Sequence, residues 1–317
     1  MSEIYIGKFV AMASPCEIVL AAADEAQAAD AMRRAIAEVR RIEHKYSRYR
    51  DDGIVHAINT AAGRPTQVDE ETAALIDFAA RLHAQSDGLF DITSGVLRRV
   101  WDFKSGRIPS QQEIDAVLPL VGWDKVQWGG REIRLPVAGM ELDFGGFGKE
   151  YAADRAGTLL LSLGYPYGFV NLGGDVRVLG PQPGGMPWRV GVQHPREPGR
   201  LLGSIPVASG ALATSGDYER YLLHEGTRYC HILNPKSGWP VRHWQSVSAL
   251  APICTAAGAL TTVAMLMEDR ALPWLDAQRV AYLAIDAQGC VRHRQMEETS
   301  PEDLGGLPTV AAKPLRL

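Results

Sequence analysis

Three glycines within four positions, Gly145, Gly146 and Gly148, run directly into Lys149 and an amphipathic stretch with apolar residues at Ala152, Ala156, Leu159, Leu160 and Leu163. Such a turn exposes bare backbone N–H groups beside a lysine and the positive end of a helix dipole, and the chemistry that suits it is phosphate binding. The run Met140-Glu-Leu-Asp-Phe144 ahead of it reads as a short buried strand. The stretch departs from the familiar nucleotide loops. A Walker A loop would need Gly in place of Asp143 and Ser or Thr in place of Glu150, and a dinucleotide fingerprint starting at Gly146 would need Gly in place of Tyr151. On these residues alone, a phosphate cradle and a plain tight turn both remain open.

Other stretches also set polar groups beside glycines. Asp91 and Thr93 interrupt an apolar run in Gly88-Leu-Phe-Asp-Ile-Thr-Ser-Gly95, which a solvated turn also explains. Ala208 to Tyr218 is a run of small residues and hydroxyls without a Gly-x-Ser-x-Gly elbow. In His231-Ile-Leu-Asn-Pro-Lys-Ser-Gly238 a histidine ends a strand before a tight loop. Alone it is a structural histidine; beside a phosphate site it becomes a candidate for proton transfer. In Thr255-Ala-Ala-Gly-Ala-Leu-Thr-Thr262, positions 258 and 262 lie one turn apart at a helix start, within reach of a metal or phosphate. A capped, small-residue helix packed on a sheet fits the same residues.

The elements that must position these groups follow from periodicity. A helix from Asp24 to about Tyr46 carries the stripe Ala29, Met32, Ile36, Val39 and Ile42, and Asp24 with Gln27 makes a capping box. A second helix spans about 69 to 86, a short one follows the Ser110/Glu113 box, and another runs from Thr255 to about Met267. Hairpins are expected around Gly129-Gly130, Glu225-Gly226 and Gly289, with paired strands at 188–193 and 201–207. Helices combined with long antiparallel stretches argue for an α+β fold of mixed, largely antiparallel sheets with packed helices, not a doubly wound α/β fold. The whole chain, 1–317, reads as one domain with a loosely held tail at 296–317.

Composition narrows the partners. With 46% hydrophobic and 22% charged residues the chain is an ordinary globular protein, and a net charge of −4 with no basic run gives nucleic acid little support. No window reaches the roughly 18 apolar residues of a membrane span. The four widely spaced cysteines and the absence of a basic-then-apolar leader predict free thiols and a cytoplasmic location.

Taken together these stretches resemble the ApbE family, the FAD:protein FMN transferases. Met12-Ala-Ser resembles the family's Met-Gly-Thr, Ser47-Arg-Tyr-Arg50 its Ser-x-Tyr-Arg, and Phe90-Asp-Ile-Thr93 matches directly. Asp143 to Asp154 resembles Asp-Leu-Gly-Gly-Ile-Ala-Lys-Gly-Tyr-Ala-x-Asp. Asn171-Leu-Gly-Gly-Asp175, Thr214-Ser-Gly-Asp-Tyr218 and the His231 to Gly238 loop follow in family order, over about residues 10 to 270. The resemblance implies an enzyme that splits FAD at its pyrophosphate, moves FMN onto a Ser or Thr hydroxyl of an acceptor flavoprotein subunit, and releases AMP. It implies FAD contacts at Met12, Tyr49, Phe90, Asp91, Asp143, Lys149 and Ile232, catalysis by His231, and Mg²⁺ held by the Gly146 carbonyl and Thr262. A non-catalytic flavin-binding protein and an FAD pyrophosphatase yielding FMN and AMP are the alternatives of the same fold.

Two positions depart from the pattern. The family's metal-site helix reads Asp-Ala-Leu-x-Thr, whereas here Gly258 stands where the Asp would be; Glu150 replaces the Gly after the lysine. Because Mg²⁺ favours one or two carboxylates among its oxygens, the loss at 258 predicts weakened or altered metal dependence. It also predicts that Gly258→Asp raises Mg²⁺ affinity.

Overall fold

The computed structural model describes residues 2–295 and 312–315. Its organising element is a nine-stranded sheet among the described residues. The spatial order is Val291–Arg294, Tyr282–Asp286, Trp244–Ala251, Gly210–Gly216, Asp175–Gly180, Gly168–Leu172, Ser14–Ala22, Glu3–Ala11 and Lys313–Leu315. Every pairing is antiparallel except the last, where Lys313–Leu315 lies parallel to Glu3–Ala11. The fold is α+β, as expected. The tail expectation is corrected in part: Lys313 to Leu315 joins the sheet opposite Tyr5 to Gly7, and 296–311 lie outside the described residues.

Seven α-helices occur among the described residues, α1 (Glu25–Tyr46), α2 (Ile54–Asn59), α3 (Glu70–Gln85), α4 (Gln111–Val117), α5 (Gly148–Ser162), α6 (Cys254–Met267) and α7 (Ala271–Ala277), and α1, α5 and α6 pack on the sheet. Helix α1 starts where the Asp24 side chain accepts from the Gln27 N–H at 2.9 Å, and it buries Ala28, Met32, Ala35, Val39, Ile42 and Tyr46 along one face. It packs on α5, and α5 packs on strand Asp175–Gly180. That last approach depends on Gly157, where a Cβ would lie 2.9 Å from Arg177 Cγ.

The strand Ser14–Ala22 explains why its sequence alternates so little. Ile18 and Leu20 join the core under the helices, while Val19 and Ala21 face a second cluster with Val176, Val178, Trp188 and Val207. The paired strands Trp188–Gln193 and Leu201–Val207 supply Trp188 and Val207 and so cover the other face. The hairpins at Gly129-Gly130, Glu225-Gly226 and Gly289 form as the turn residues indicate. Helices α2 and α7 and the strand Gly210–Gly216 were not among the expected elements.

One expectation fails next to the site. Met140–Phe144 is not a strand. No ladder forms: Leu142 N–H donates to Asn59 Oδ1 at 2.7 Å and Asn59 Nδ2 to the Leu142 carbonyl at 3.0 Å, while Asp143 N–H makes a single bond to the Ile92 carbonyl at 2.8 Å. An asparagine that mimics a neighbouring strand leaves no alternation for sequence reading to detect.

Candidate functional site

The glycine turn is seated on aromatic rings. Phe144 packs 5.2 Å from Tyr46, and Phe147 lies 5.4 Å from Phe78 and 6.1 Å from Phe90, centroid to centroid. A Cβ on Gly146 would come within 3.1 Å of the Phe90 ring, so any larger residue would have to push that ring back by a few tenths of an ångström. Asp143 folds the entrance: its Oδ1 accepts from Gly145 N–H at 2.8 Å, and its Oδ2 pairs with Arg48. Helix α5 then begins without a side-chain cap, leaving an end suited to an anion.

Lys149 stands in the first turn of α5. Its Nζ is 2.7 Å from Asp175 Oδ2 and donates to the Gly173 carbonyl at 3.3 Å. Burial alone would lower its pKa, but the charges of Asp175 and Glu150 outweigh that and hold the ammonium above the ordinary lysine range. Glu150, the next residue, is only 8% exposed. Burial first, and then the charge of Asp175, push its carboxyl up to about 8. Its Oε2 is buried and has no hydrogen-bond partner.

Helix α6 is held against α5 by a cap from another part of the chain. Asp154 accepts from Cys254 N–H at 2.8 Å, from Thr255 N–H at 2.8 Å and from Thr255 Oγ1 at 2.6 Å. This clamp sets Gly258 directly against Glu150: a Cβ there would lie 2.6 Å from both Glu150 Cγ and Oε1. An aspartate at 258 would therefore have to displace the Glu150 side chain before it could act as a ligand. Farther along α6, the hydroxyls of Thr261 and Thr262 lie 2.9 and 3.2 Å from Ser215 Oγ.

His231 is half-buried at the end of strand Thr227–Cys230. Its Nδ1 is 3.3 Å from the Arg220 carbonyl. A carbonyl only accepts, so this contact assigns the proton to Nδ1 and leaves Nε2 as a lone-pair base. Burial, followed by the positive charges of Arg220, Lys149 and Arg48, lowers its pKa to about 4. The imidazole is neutral at physiological pH, the state a general base needs. Ile232 beside it is buried at 9% exposure.

The remaining candidates divide into free and engaged groups. Tyr49 is 79% exposed, with its hydroxyl accepting from Arg48 Nη2 at 2.8 Å and the guanidinium 4.9 Å from its ring centroid. Met12 sits in the two-residue turn joining Glu3–Ala11 to Ser14–Ala22, where Met12 and Ala13 both have positive φ. Its N–H donates to Glu43 Oε1 at 2.6 Å. Phe90 is buried under the glycine turn. Asp91 is also buried, and both its oxygens are spent inside the protein: Oδ1 accepts from Thr93 N–H and Oγ1, and Oδ2 from Trp123 N–H at 2.8 Å.

Sequence reasoning did not single out Arg48, Asp154 or Ser215, and it named Asp175 only as the end of a motif. Arg48 and Asp154 lie inside the quoted motifs, so their place in them was the available signal. No group of three or more His, Cys, Asp or Glu able to hold a metal occurs among the described residues, so a metal here would rely on hydroxyl, carbonyl or ligand oxygens as well.

The likeness to known proteins covers this whole arrangement. The profile of the ApbE family matches residues 12–284. The FAD:protein FMN transferase of Rhodobacter capsulatus is 33% identical over 80% of this chain, which spans 50% of that protein. The FAD:protein FMN transferase of Klebsiella pneumoniae is 32% identical over 76% of this chain and 75% of its own length. The crystal structure of the ApbE protein from Thermotoga maritima superposes with a TM-score of 0.84 at 32% identity, covering 92% of this chain and 97% of that one. The match spans both the glycine turn and the His231 loop, and the chain belongs to the ApbE family.

Proposed function

We propose that this protein is an FAD:protein FMN transferase, moving FMN from FAD to a Ser or Thr hydroxyl of an acceptor flavoprotein subunit and releasing AMP. The observation that carries this reading is geometric: Lys149 stands at the uncapped start of α5 behind the glycine turn, and His231 ends its strand with Nδ1 turned to the Arg220 carbonyl, which leaves Nε2 bare. The acceptor oxygen attacks the FMN phosphorus, its proton passes to His231 Nε2, and the bond to the bridging oxygen breaks so that AMP departs with that oxygen. Lys149 supplies positive charge to the pyrophosphate, and the uncapped start of α5 supplies N–H donors. Fixing the acceptor and the phosphorus in line contributes much of the remaining rate.

The other candidates have distinct parts in this reading. The exposed Tyr49 ring, Met12 and Ile232 offer apolar surface to FAD, and Phe90 supports the glycine turn. Asp91 and Asp143 position loops, since their oxygens are engaged by Thr93, Trp123, Gly145 and Arg48. A Mg²⁺ held near the Gly146 carbonyl and Thr262 would neutralise charge on the phosphate oxygens. The Gly146 carbonyl and the Thr262 hydroxyl, with Ser215 Oγ 3.2 Å from the latter, are oxygen donors, which fits that ion. Free thiols at all four cysteines support a cytoplasmic setting, and no helix among the described residues is long and apolar enough to cross a membrane.

The test mixes the protein with FAD, Mg²⁺ and a partner carrying the acceptor threonine. Covalent flavin on the partner with matching AMP is the expected result. Neither product across millimolar Mg²⁺ refutes transfer. AMP without labelled partner would indicate the pyrophosphatase, and quenched flavin fluorescence without AMP a binding protein.

A further inference from the structure

We propose that Glu150, reaching across from α5, is the carboxylate ligand of the divalent cation in this site, and that Gly258 is the vacancy that admits it. This rests on the flavin-transferase reading for the presence of a cation, but the choice of ligand rests on the geometry. The Glu150 carboxylate occupies the space that any side chain at 258 would need, with Oε1 2.6 Å and Cδ 2.9 Å from an added Cβ. Its second oxygen, Oε2, is buried and without a donor. A carboxyl oxygen kept from water and from every hydrogen-bond partner is costly to build, protonated or not, unless something else completes it.

The neighbouring carboxylates are already engaged. Asp175 pairs with Lys149 at 2.7 Å. Asp217 is held by Arg196 in a two-pronged pair of 2.7 and 2.7 Å. Asp154 caps α6, and Asp143 pairs with Arg48. Glu150 alone among these five has an oxygen left over. The Asp154 clamp one turn further along α5 fixes the distance between the two helices, so Glu150 faces the same stretch of α6 that carries Thr262 one turn beyond Gly258. One carboxylate plus hydroxyl and carbonyl oxygens is a hard donor set suited to Mg²⁺ or Mn²⁺. The two departures from the family pattern, Glu150 and Gly258, then form one exchange: the carboxylate has moved from α6 to α5.

Mn²⁺ binding, read from the loss of its free-ion paramagnetic resonance signal, tests this without turnover. Titrations are run without nucleotide and with saturating FAD, on the wild type, Glu150→Gln, Glu150→Gly, and Glu150→Gly combined with Gly258→Asp. Glu150→Gln and Glu150→Gly are expected to weaken Mn²⁺ by roughly 10–100-fold or more, the loss that follows even when a group merely supporting a ligand is removed. The double variant is expected to recover most of that loss. Undiminished Mn²⁺ affinity in a folded Glu150→Gln overturns the proposal. So does a wild type that binds no Mn²⁺ under either condition, or a folded double variant no better than Glu150→Gly. FAD binding, followed separately by flavin fluorescence without metal, reports on the transferase reading. Its failure there, with Mn²⁺ binding still lost in Glu150→Gln, counts against that reading and leaves the ligand assignment supported.

Discussion

Replacing Asp154 with alanine should cost the fold about 2–4 kcal/mol, because one side chain holds the start of α6 from a distance of 100 residues. The cap residue of α6, Ile253, has no side chain able to accept a hydrogen bond. Asp154 therefore takes on the role, accepting from two backbone N–H groups and the Thr255 hydroxyl at 2.6–2.8 Å. An ordinary cap is worth about 0.5–2 kcal/mol, and hydrogen bonds to a charged group about 1.5–3 kcal/mol each. These terms do not add fully, since water can reach part of the exposed helix end. The truncation also removes the partner of Arg177 Nε, 3.4 Å away, while Arg177 keeps its bonds to the Gly210 and Pro252 carbonyls. Urea unfolding at unchanged slope measures the loss. Asp154→Asn, which keeps one acceptor oxygen, should lose about half as much. A loss below about 0.5 kcal/mol for the alanine variant, the size of an ordinary surface change, would refute the claim that this clamp fixes α6 against α5.

Two further outcomes follow from the histidine loop. With its pKa lowered from 6.5 to about 4, His231 should leave kcat/KM unaffected by its own protonation until the pH falls towards 4. Proton NMR of its ring in the ligand-free protein should titrate there; a midpoint near 6.5 would remove the basis for a neutral, desolvated base. The linked stability has the same sign, because the unfolded chain takes up this proton first: the contribution is intact above 6.5 and is lost as pH falls towards 4. Gly238→Ala should destabilise by about 2–4 kcal/mol, since that glycine has φ +72 and an added Cβ would meet Ile114 Cγ2 at 2.4 Å. Its carbonyl also accepts from Trp101 Nε1 at 2.8 Å, so the shift should reach the loop that carries His231. Thermal unfolding and NMR of His231 would report both effects.

Much of the fold was legible where local chemistry decides it. The Ser110/Glu113 capping box forms in full, and the hairpins turn where glycine permits positive φ. The Asp24 cap forms as well, although Gln27 returns its bond to the Asp24 carboxylate and not to the backbone. Elements defined by distant partners were harder to read. The strand Gly210–Gly216 has a near-uniform run of small residues because both its neighbours are strands and α6 presses on it. Alternation has little contrast there. Met140–Phe144 failed for a different reason: its apolar residues are buried, yet Leu142 is bonded by the Asn59 side chain and Asp143 makes one isolated bond to Ile92, so no ladder forms.

The site divides in the same way. Lys149, the glycine turn and His231 were identifiable because each carries its own chemistry in a short stretch of sequence. Glu150 and Gly258 were visible too, but as two unrelated oddities, one an unwanted charge and the other a missing ligand. Nothing local connects residues 108 positions apart on two different helices. The connection comes from Asp154, whose capping of α6 brings the bare Cα of Gly258 against the Glu150 side chain. Since an aspartate at 258 and the present rotamer of Glu150 cannot share that space, the two positions must change together. Gly258→Asp alone should therefore not strengthen metal binding, and it would force the Glu150 carboxylate out of a buried position where one oxygen already lacks a donor.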